Sequence, residues 1–327
     1  MNFISEVALF ITKLLSGTFF LLLLLAAMTK CKSKHKTDKT KPIKLNHINN
    51  NYLHQNRALK KQLGDKNEKK CSKNKKKSLI KQPRVFVLSF DGDIRARQVE
   101  QLRREVTAIL QVARPDQDQV LLRLESSGGL VSHYGLAAAQ LSRLRAANIP
   151  LTACIDKIAA SGGYLMACLA NHIIAAPFAV VGSIGVVTQL PNFHELLEKN
   201  HIQFEQITAG EHKRTLTVFG KNTEKGREKV QAQVDQIWHL FKKHISQYRS
   251  TMNIEAVATG EYWFGADALK LQLIDKISTS DDILLTLTDT HQLYEVTAPP
   301  SSYARRSWQD CLNAAIYWVM SRRKHFF

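Results

Sequence analysis

Ser161 is the residue whose surroundings are best suited to chemistry. It stands within ACIDKIAASGGYLMACLANHIIAAPFAVVGSIGVV, residues 153 to 187, which reads as strand, glycine turn, short apolar helix, strand and second glycine turn. Gly162 and Gly163 follow it, and Tyr164 to Asn171 read as two turns of helix. A serine on such a turn presents its hydroxyl. The backbone N–H groups behind it, and the positive end of the helix, face whatever the hydroxyl attacks. Acyl transfer needs that pairing, because its transition state places negative charge on an oxygen. A Ser-Gly-Gly turn also serves simply to join a strand to a helix, so this stretch does not decide the matter alone.

Two further glycine turns bear on the chemistry. Gly128 and Gly129 lie at the C-terminal end of a strand, where open α/β sheets place their sites, and their N–H groups could complete an oxyanion hole with Gly162. Gly182-Ser183-Ile184-Gly185 reads as a loop. A serine nucleophile also needs a base. The residues leave His133, His172 and His194 open, together with lysine, which acts as a base only as a neutral amine. Lys213 in AGEHKRTLT is one of many lysines and composition does not single it out.

The elements that must hold these residues follow from periodicity. VFVLSF (85 to 90), VLLRLES (120 to 126) and Pro150 to Ile155 are runs of strand length rich in β-formers. Between them, residues 95 to 113 carry Val99, Leu102, Val106, Ile109 and Leu110 on one helical face. Residues 130 to 146 do the same with Leu130, Tyr134, Ala137, Leu141 and Leu144. Strand, helix, strand, helix, strand predicts βαβ units on a mainly parallel sheet, an α/β fold. Further on, a mixed segment spans 189 to 221 and a long helix 222 to 250. A helix with flanking turns is expected within 259 to 277, and a short one near 280 to 287.

The 327 residues are 44% hydrophobic and carry a formal net charge of +18. About +16 of that lies between Lys30 and Arg84, where 19 Lys and Arg face 3 Asp and Glu. The basicity therefore belongs to one segment and does not mark a nucleic-acid-binding face. The five cysteines form no CxxC pair and no Cys/His cluster of metal-ligand spacing. Cys154 and Cys168 fall in apolar runs and read as buried thiols. Residues 8 to 28, ALFITKLLSGTFFLLLLLAAM, are long enough to cross a bilayer, with Lys13 their only charge. A cleaved signal peptide is the competing reading. The lysines beyond residue 29 favour a cytoplasmic flank and attract anionic headgroups.

Five segments, in order, carry a family resemblance: LRLESSGGLVSHYG (122 to 135), DKIAASGGYLMAC (156 to 168), VVGSIGVV (180 to 187), TAGEHKRTLT (208 to 217) and TGEYWFGADALKLQLID (259 to 275). With them the chain resembles, over nearly its whole length, the SohB-type proteases of the signal peptide peptidase A family, serine peptidases that use a Ser–Lys dyad. The resemblance implies Ser161 as nucleophile, Lys213 as general base and Ser183 as the hydroxyl that positions the lysine amine. It implies an oxyanion hole from Gly128 or Gly129 with Gly162. It also implies a Clp/crotonase-like ββα spiral, no cofactor and no metal. The partners it implies are peptide or protein substrates, and a homo-oligomer in which serine and lysine meet across a subunit boundary. Two positions depart from the family pattern: Ser127 where proline is common, and Gln272 where glycine is usual.

The expected layout is an N-terminal region at 1–29 holding the anchor at 8–28, a basic linker at 30–84, a peptidase domain at 85–290, and a tail at 291–327. The expected protein is a single-pass inner-membrane serine endopeptidase acting on membrane-associated peptides, such as remnant signal peptides, or on misfolded envelope proteins. It binds no specific nucleic acid, and the side its catalytic domain faces stays open. A catalytically inactive membrane scaffold of the same fold is the alternative.

Overall fold

The computed structural model describes residues 42–64, 82–210 and 212–299. The expected anchor at 8–28 lies outside the described residues, as does the tail from residue 300. Among the described residues no helix is long and apolar enough to cross a membrane.

In chain order the elements are β1 (Lys44–His47), α1 (Ile48–Gln62), β2 (Arg84–Gly92), α2 (Val99–Val112), β3 (Gln119–Ser126), α3 (Val131–Ala146), β4 (Leu151–Ile155), β5 (Ile158–Ala160), α4 (Gly162–Ala167), β6 (His172–Ala175), β7 (Val180–Gly182), α5 (His194–Lys199), α6 (Glu224–Tyr248), α7 (Ile254–Val257), β8 (Tyr262–Phe264), α8 (Gly265–Lys270), β9 (Lys276–Ile277), α9 (Ser280–Leu287) and β10 (Gln292–Thr297). This is a mixed α/β fold. The main run of the sheet is β1-β10-β2-β3-β4-β6-β9. Every neighbour in it pairs in parallel except β1, which lies antiparallel on β10.

A second run leaves the first at the end of β3. Ser126 pairs with Ala159 of β5, β5 pairs in parallel with β7, and β7 pairs antiparallel with β8. The sheet therefore forks at the last residue of β3, just before its glycine turn. Successive strands then alternate between branches: β4 and β6 stay in the main run, β5 and β7 enter the fork.

The strand sequences are near-continuously apolar because both faces of the main run are covered. Alternate residues point to opposite faces. Phe86, Leu88 and Phe90 of β2 join Leu122 and Leu124 of β3 in the larger core, together with Leu102, Val106 and Ile109 of α2 and Tyr134, Leu141 and Leu144 of α3. Val85 and Val87, one residue out of phase, meet Leu121, Cys154, Ile174 and Leu293 in a smaller core capped by Ile48 of α1 and Leu284 of α9. Cys154 and Cys168 are buried free thiols, as their apolar settings predict. Burial pushes the Cys154 thiol up to about 12, so it is not a ready nucleophile.

Three expectations need correcting. Residues 44 to 62, expected within a linker, form β1 and α1. Polar composition hid them because α1 buries only Ile48 and Asn49, and β1 is held by its pairing with β10. The folded unit likewise runs past residue 290, since β10 lies between β1 and β2. Within 259 to 277 the expected helix is short and preceded by a strand, with Tyr262, Trp263 and Phe264 paired to β7. Gln272, the second departure from the family pattern, follows α8 with φ of +60°, the left-handed conformation that glycine occupies most cheaply.

Candidate active site

The turn that carries Ser161 is held in an uncommon backbone conformation. Strand β5 ends at Ala160 and α4 begins at Gly162, which leaves Ser161 alone between them with φ +52° and ψ −118°. A residue with a side chain avoids that region, at a cost on the order of 1–3 kcal/mol, and keeps it only where its neighbours enforce it. The enforcement is visible. The Ser161 N–H donates to the Gly182 carbonyl at 2.8 Å, and the Ser161 carbonyl accepts from Leu165 N–H at 2.9 Å. The Ser161 hydroxyl makes no capping bond to α4 and so is not used up in closing the helix.

Gly128 is pressed against this turn with φ of +89°. A Cβ there would lie 2.7 Å from Gly162 N, 2.8 Å from Ser161 Cβ and 2.9 Å from Ala160 O. Only glycine lets the two turns approach so closely. The Gly128 N–H donates to Ser126 Oγ at 3.1 Å, and Ser126 Oγ in turn donates to the Gly92 carbonyl at 3.0 Å. The Tyr134 hydroxyl stands within hydrogen-bond distance of Ser126 Oγ and, at 2.8 Å, of the Asp93 carbonyl, and its single proton serves one of these two acceptors. This buried network sets the Gly128 turn and occupies its N–H. The N–H groups of Gly129 and Gly162 have no hydrogen-bond partner among the described residues. Gly129 packs against the Ile94 backbone and Gly162 against the Tyr134 ring, so neither has room for a side chain. Ser127, in the family's proline position, is exposed at the rim.

Ser183 stands close to this centre. Its φ is +50°, its N–H donates to the Glu261 carbonyl at 2.7 Å, and its carbonyl accepts from Gly185 N–H at 3.0 Å. The preceding residue, Gly182, supplies the carbonyl that holds Ser161. Ser161 and Ser183 line one open cavity of about 900 Å³, with Gly128, Gly129, Asp235, Trp238 and Glu255. A second cavity of about 500 Å³ starts at Ser161 and is walled by α3 and α6, with Val131, Ala138, Ile237, Phe241 and His244 among its lining.

Lys213 is placed elsewhere. Its side chain is exposed, its N–H donates to the Gly210 carbonyl at 3.1 Å, and it lines neither cavity at Ser161. The fold thus gathers Ser161, Ser183, Gly128, Gly129 and Gly162 and leaves Lys213 outside the group. The histidines considered as bases lie away from it as well. His133 is exposed and bonds Ser132 Oγ, His172 is exposed at the start of β6, and His194 lines a different cavity with His201.

The histidine that does line a Ser161 cavity is His244, which sequence reasoning passed over. It is far along the chain from Ser161, and its only signal is its place in a helical stripe with Ile237, Phe241 and Tyr248. Burial pushes its imidazole below the usual histidine range, partly countered by the Leu165 carbonyl. Its Nε2 is buried with no hydrogen-bond partner.

Two family models match the sequence: "Peptidase family S49 N-terminal" over residues 2–141 and "Peptidase family S49" over residues 143–294. Among curated proteins, the chain is similar to the "Probable protease SohB" of Haemophilus influenzae, with 54% identity over 212 residues, 65% of this chain and 60% of that protein. It is also similar to the "Probable protease SohB" of Buchnera aphidicola subsp. Schlechtendalia chinensis, with 45% identity over 308 residues, 88% of this chain and 100% of that one. Two solved structures of the membrane-bound stomatin-specific protease 1510-N are distantly similar. One is a serine-to-alanine mutant and the other a lysine-to-alanine mutant in complex with a substrate peptide. Their identities are 16% and 15%, they cover 63% and 72% of this chain and 84% and 98% of those chains, and their TM-scores are 0.41 and 0.44. At those scores the likeness is too distant to assign a fold, which stands on the sheet described above.

Proposed function

The chain belongs to peptidase family S49 as a SohB-type serine peptidase, and on that premise we propose that it hydrolyses peptide bonds through Ser161, with Lys213 as general base. The observation that carries the assignment is the Ser161 turn. A hydroxyl-bearing residue is held in a costly conformation at a helix entrance, against a glycine that no other residue could replace. The forking of the sheet, with β5 and β7 leaving the main run in turn, supports the Clp/crotonase-like spiral as its frame.

The steps follow from the groups in place. An uncharged Lys213 amine takes the Ser161 proton as Oγ bonds to the scissile carbonyl carbon. The electron pair pushed onto the carbonyl oxygen is met by the Gly129 and Gly162 N–H groups. Gly128 shapes this oxyanion hole and does not donate to it, since Ser126 holds its N–H. The protonated lysine passes its proton to the departing amine, and water then releases the acyl group from Ser161. Ser183, beside Ser161, is the hydroxyl that receives and orients the amine.

Lys213 must come to Ser161 from elsewhere, and a second copy of the chain is the source we propose. Residues 8–28 anchor the assembly in the inner membrane. Its substrates are membrane-associated peptides, remnant signal peptides among them, and misfolded envelope proteins.

The test is complementation. Ser161→Ala and Lys213→Ala should each lose turnover by about 10⁴-fold or more. Mixed together, the two dead proteins should regain a measurable share of wild-type activity. Lys213→Ala retaining turnover would exclude the lysine. A mixture that stays dead would confine serine and lysine to one chain.

A further inference from the structure

Helix α1 takes no part in the catalytic steps, and it packs on the folded body only at its N-terminal end. Ile48 is buried in the smaller core and Tyr52 is half-buried against it. From Leu53 to Gln62 every residue of the helix is exposed. That stretch is about 15 Å long at 1.5 Å per residue. A helical segment so short is marginal in water unless a neighbouring surface covers it. Leu53, Asn56, Lys60 and Leu63 succeed one another at helical spacing, with Leu59 beside them, so they share one face. The three leucines on it are 53%, 60% and 82% exposed in chain order.

Charge narrows what that surface is. Residues 42–64 hold Lys44, Arg57, Lys60 and Lys61 and no Asp or Glu. The flanking sequence has the same sign, with six Lys against one Asp in 30–41 and eight Lys against two acidic residues in 65–81. The tail at 300–327 carries five Lys and Arg against one Asp. None of these segments complements α1, and neither does α1 of a second copy. A bilayer with anionic headgroups does, since it offers apolar depth to the leucines and negative charge to the lysines. Such a surface is also close at hand, because only residues 29–43 separate β1 from the stretch read as an anchor.

We infer that the exposed half of α1 is a membrane-docking surface that lies on an anionic lipid bilayer, with Leu53, Leu59 and Leu63 among the headgroups and Lys60 and Lys61 within a Debye length of the lipid phosphates. Each lysine held near such a surface strengthens attachment by about fivefold. The contact is a second attachment, distinct from the anchor proposed at 8–28, and it belongs to the folded body itself.

Quenching by lipid tests this on the full chain in vesicles. Cys31, Cys71 and Cys311 are replaced by serine, and Cys154 and Cys168 are buried. Leu59→Cys, Leu63→Cys and, on the opposite face, Ala58→Cys then each carry one fluorophore. The vesicles are phosphatidylcholine, with or without phosphatidylglycerol, and contain a spin-labelled lipid as quencher. With phosphatidylglycerol present, the labels at 59 and 63 should be quenched at least about threefold more than the label at 58. Adding Lys60→Glu/Lys61→Glu should bring all three to the same low level, with the melting temperature unchanged because both lysines are exposed. Equal quenching on the two faces, or quenching indifferent to phosphatidylglycerol or to the charge reversal, would overturn the inference. So would the absence of quenching at every position, which would leave this face to an acidic protein. Flotation with vesicles in high salt reports on the anchor separately. A chain that no longer floats there counts against residues 8–28 as an anchor, while the quenching pattern at low salt still decides the role of α1.

Discussion

Around Ser161, Tyr134, Tyr164, Gly162, Gly163 and Ala160 are all buried, and the turn is tied by backbone bonds to β7 and α4. Between residues 187 and 219 the pattern inverts. Val187, Leu196, Ile202 and Ile207 are large and apolar, yet all face outward, Ile207 with 96% of its surface exposed. Lys213 belongs to this second region. The nucleophile is held by the interior of the sheet, whereas the residue proposed to activate it stands on a surface whose apolar side chains have no cover among the described residues. Large apolar side chains left in solvent in this number are what a surface that meets a partner would show. On the reading proposed above, folding completes the nucleophile and association with a second copy completes the enzyme.

That contrast can be broken at either end. Short of removing Ser161 or Lys213 themselves, the largest effect is expected at Gly128. Gly128→Ala puts a methyl group against the Gly162 N–H, Ser161 Cβ and Ala160 carbonyl, atoms that cannot move aside cheaply. Turnover should fall by about 10²–10³-fold, the usual loss when an oxyanion donor is displaced. Gly210→Ala is the matching change in the exposed region. Gly210 also has positive φ, but nothing lies within 4 Å of its added Cβ, so the cost should be strain of about 1 kcal/mol, read in the melting temperature, with kcat retained.

Next is Ile207→Asp. The side chain is already in solvent, so the melting temperature of the subunit should move by no more than about 0.5 kcal/mol equivalent. If this face is covered in the working enzyme, turnover should drop about 30-fold, with a smaller sedimenting species. Full activity in Ile207→Asp would remove the argument for association.

The smallest effect is on stability alone and lies in the interior region. The Asp118 carboxylate is fully buried between Arg84 and Arg114. Its pKa is depressed: burial opposes this, but the bonds from the two arginines prevail. A depressed carboxyl stabilises the fold fully above the unfolded carboxylate range and loses that contribution as pH falls towards its folded value. Asp118→Asn should therefore cost about 3 kcal/mol at neutral pH and flatten the acid side of a plot of melting temperature against pH, with kcat unchanged. An equally steep acid limb in Asp118→Asn would assign that limb to other carboxylates, Asp275 first.

Much of this was open to reading from residue order alone. The parallel strands announced themselves as unbroken apolar runs, α2 and α3 as stripes, and Ser161 by the glycines that follow it. What escaped depended on partners far away in the chain. β1 and α1 are polar segments that become structure because β10 offers an edge and the smaller core accepts Ile48. Tyr262-Trp263-Phe264 resembled the start of a helix because the residues that make it a strand are Val180 to Gly182. The Gly128 N–H looked free until Ser126 was seen to fold back on it. His244 carried no mark beyond its place in the α6 stripe, since the serine it shares a cavity with belongs to another element.

The antiparallel pairing of β1 with β10 has a consequence for engineering. Lys44 lies opposite Thr297, so the folded body receives the chain and releases it at neighbouring points on one rim. Residues 42 and 299 could be joined by a brief peptide and new ends opened between residues 187 and 219. Such a circular permutant should keep the sheet in register, free the lysine-bearing segment at one end, and show whether that segment can find its serine untethered.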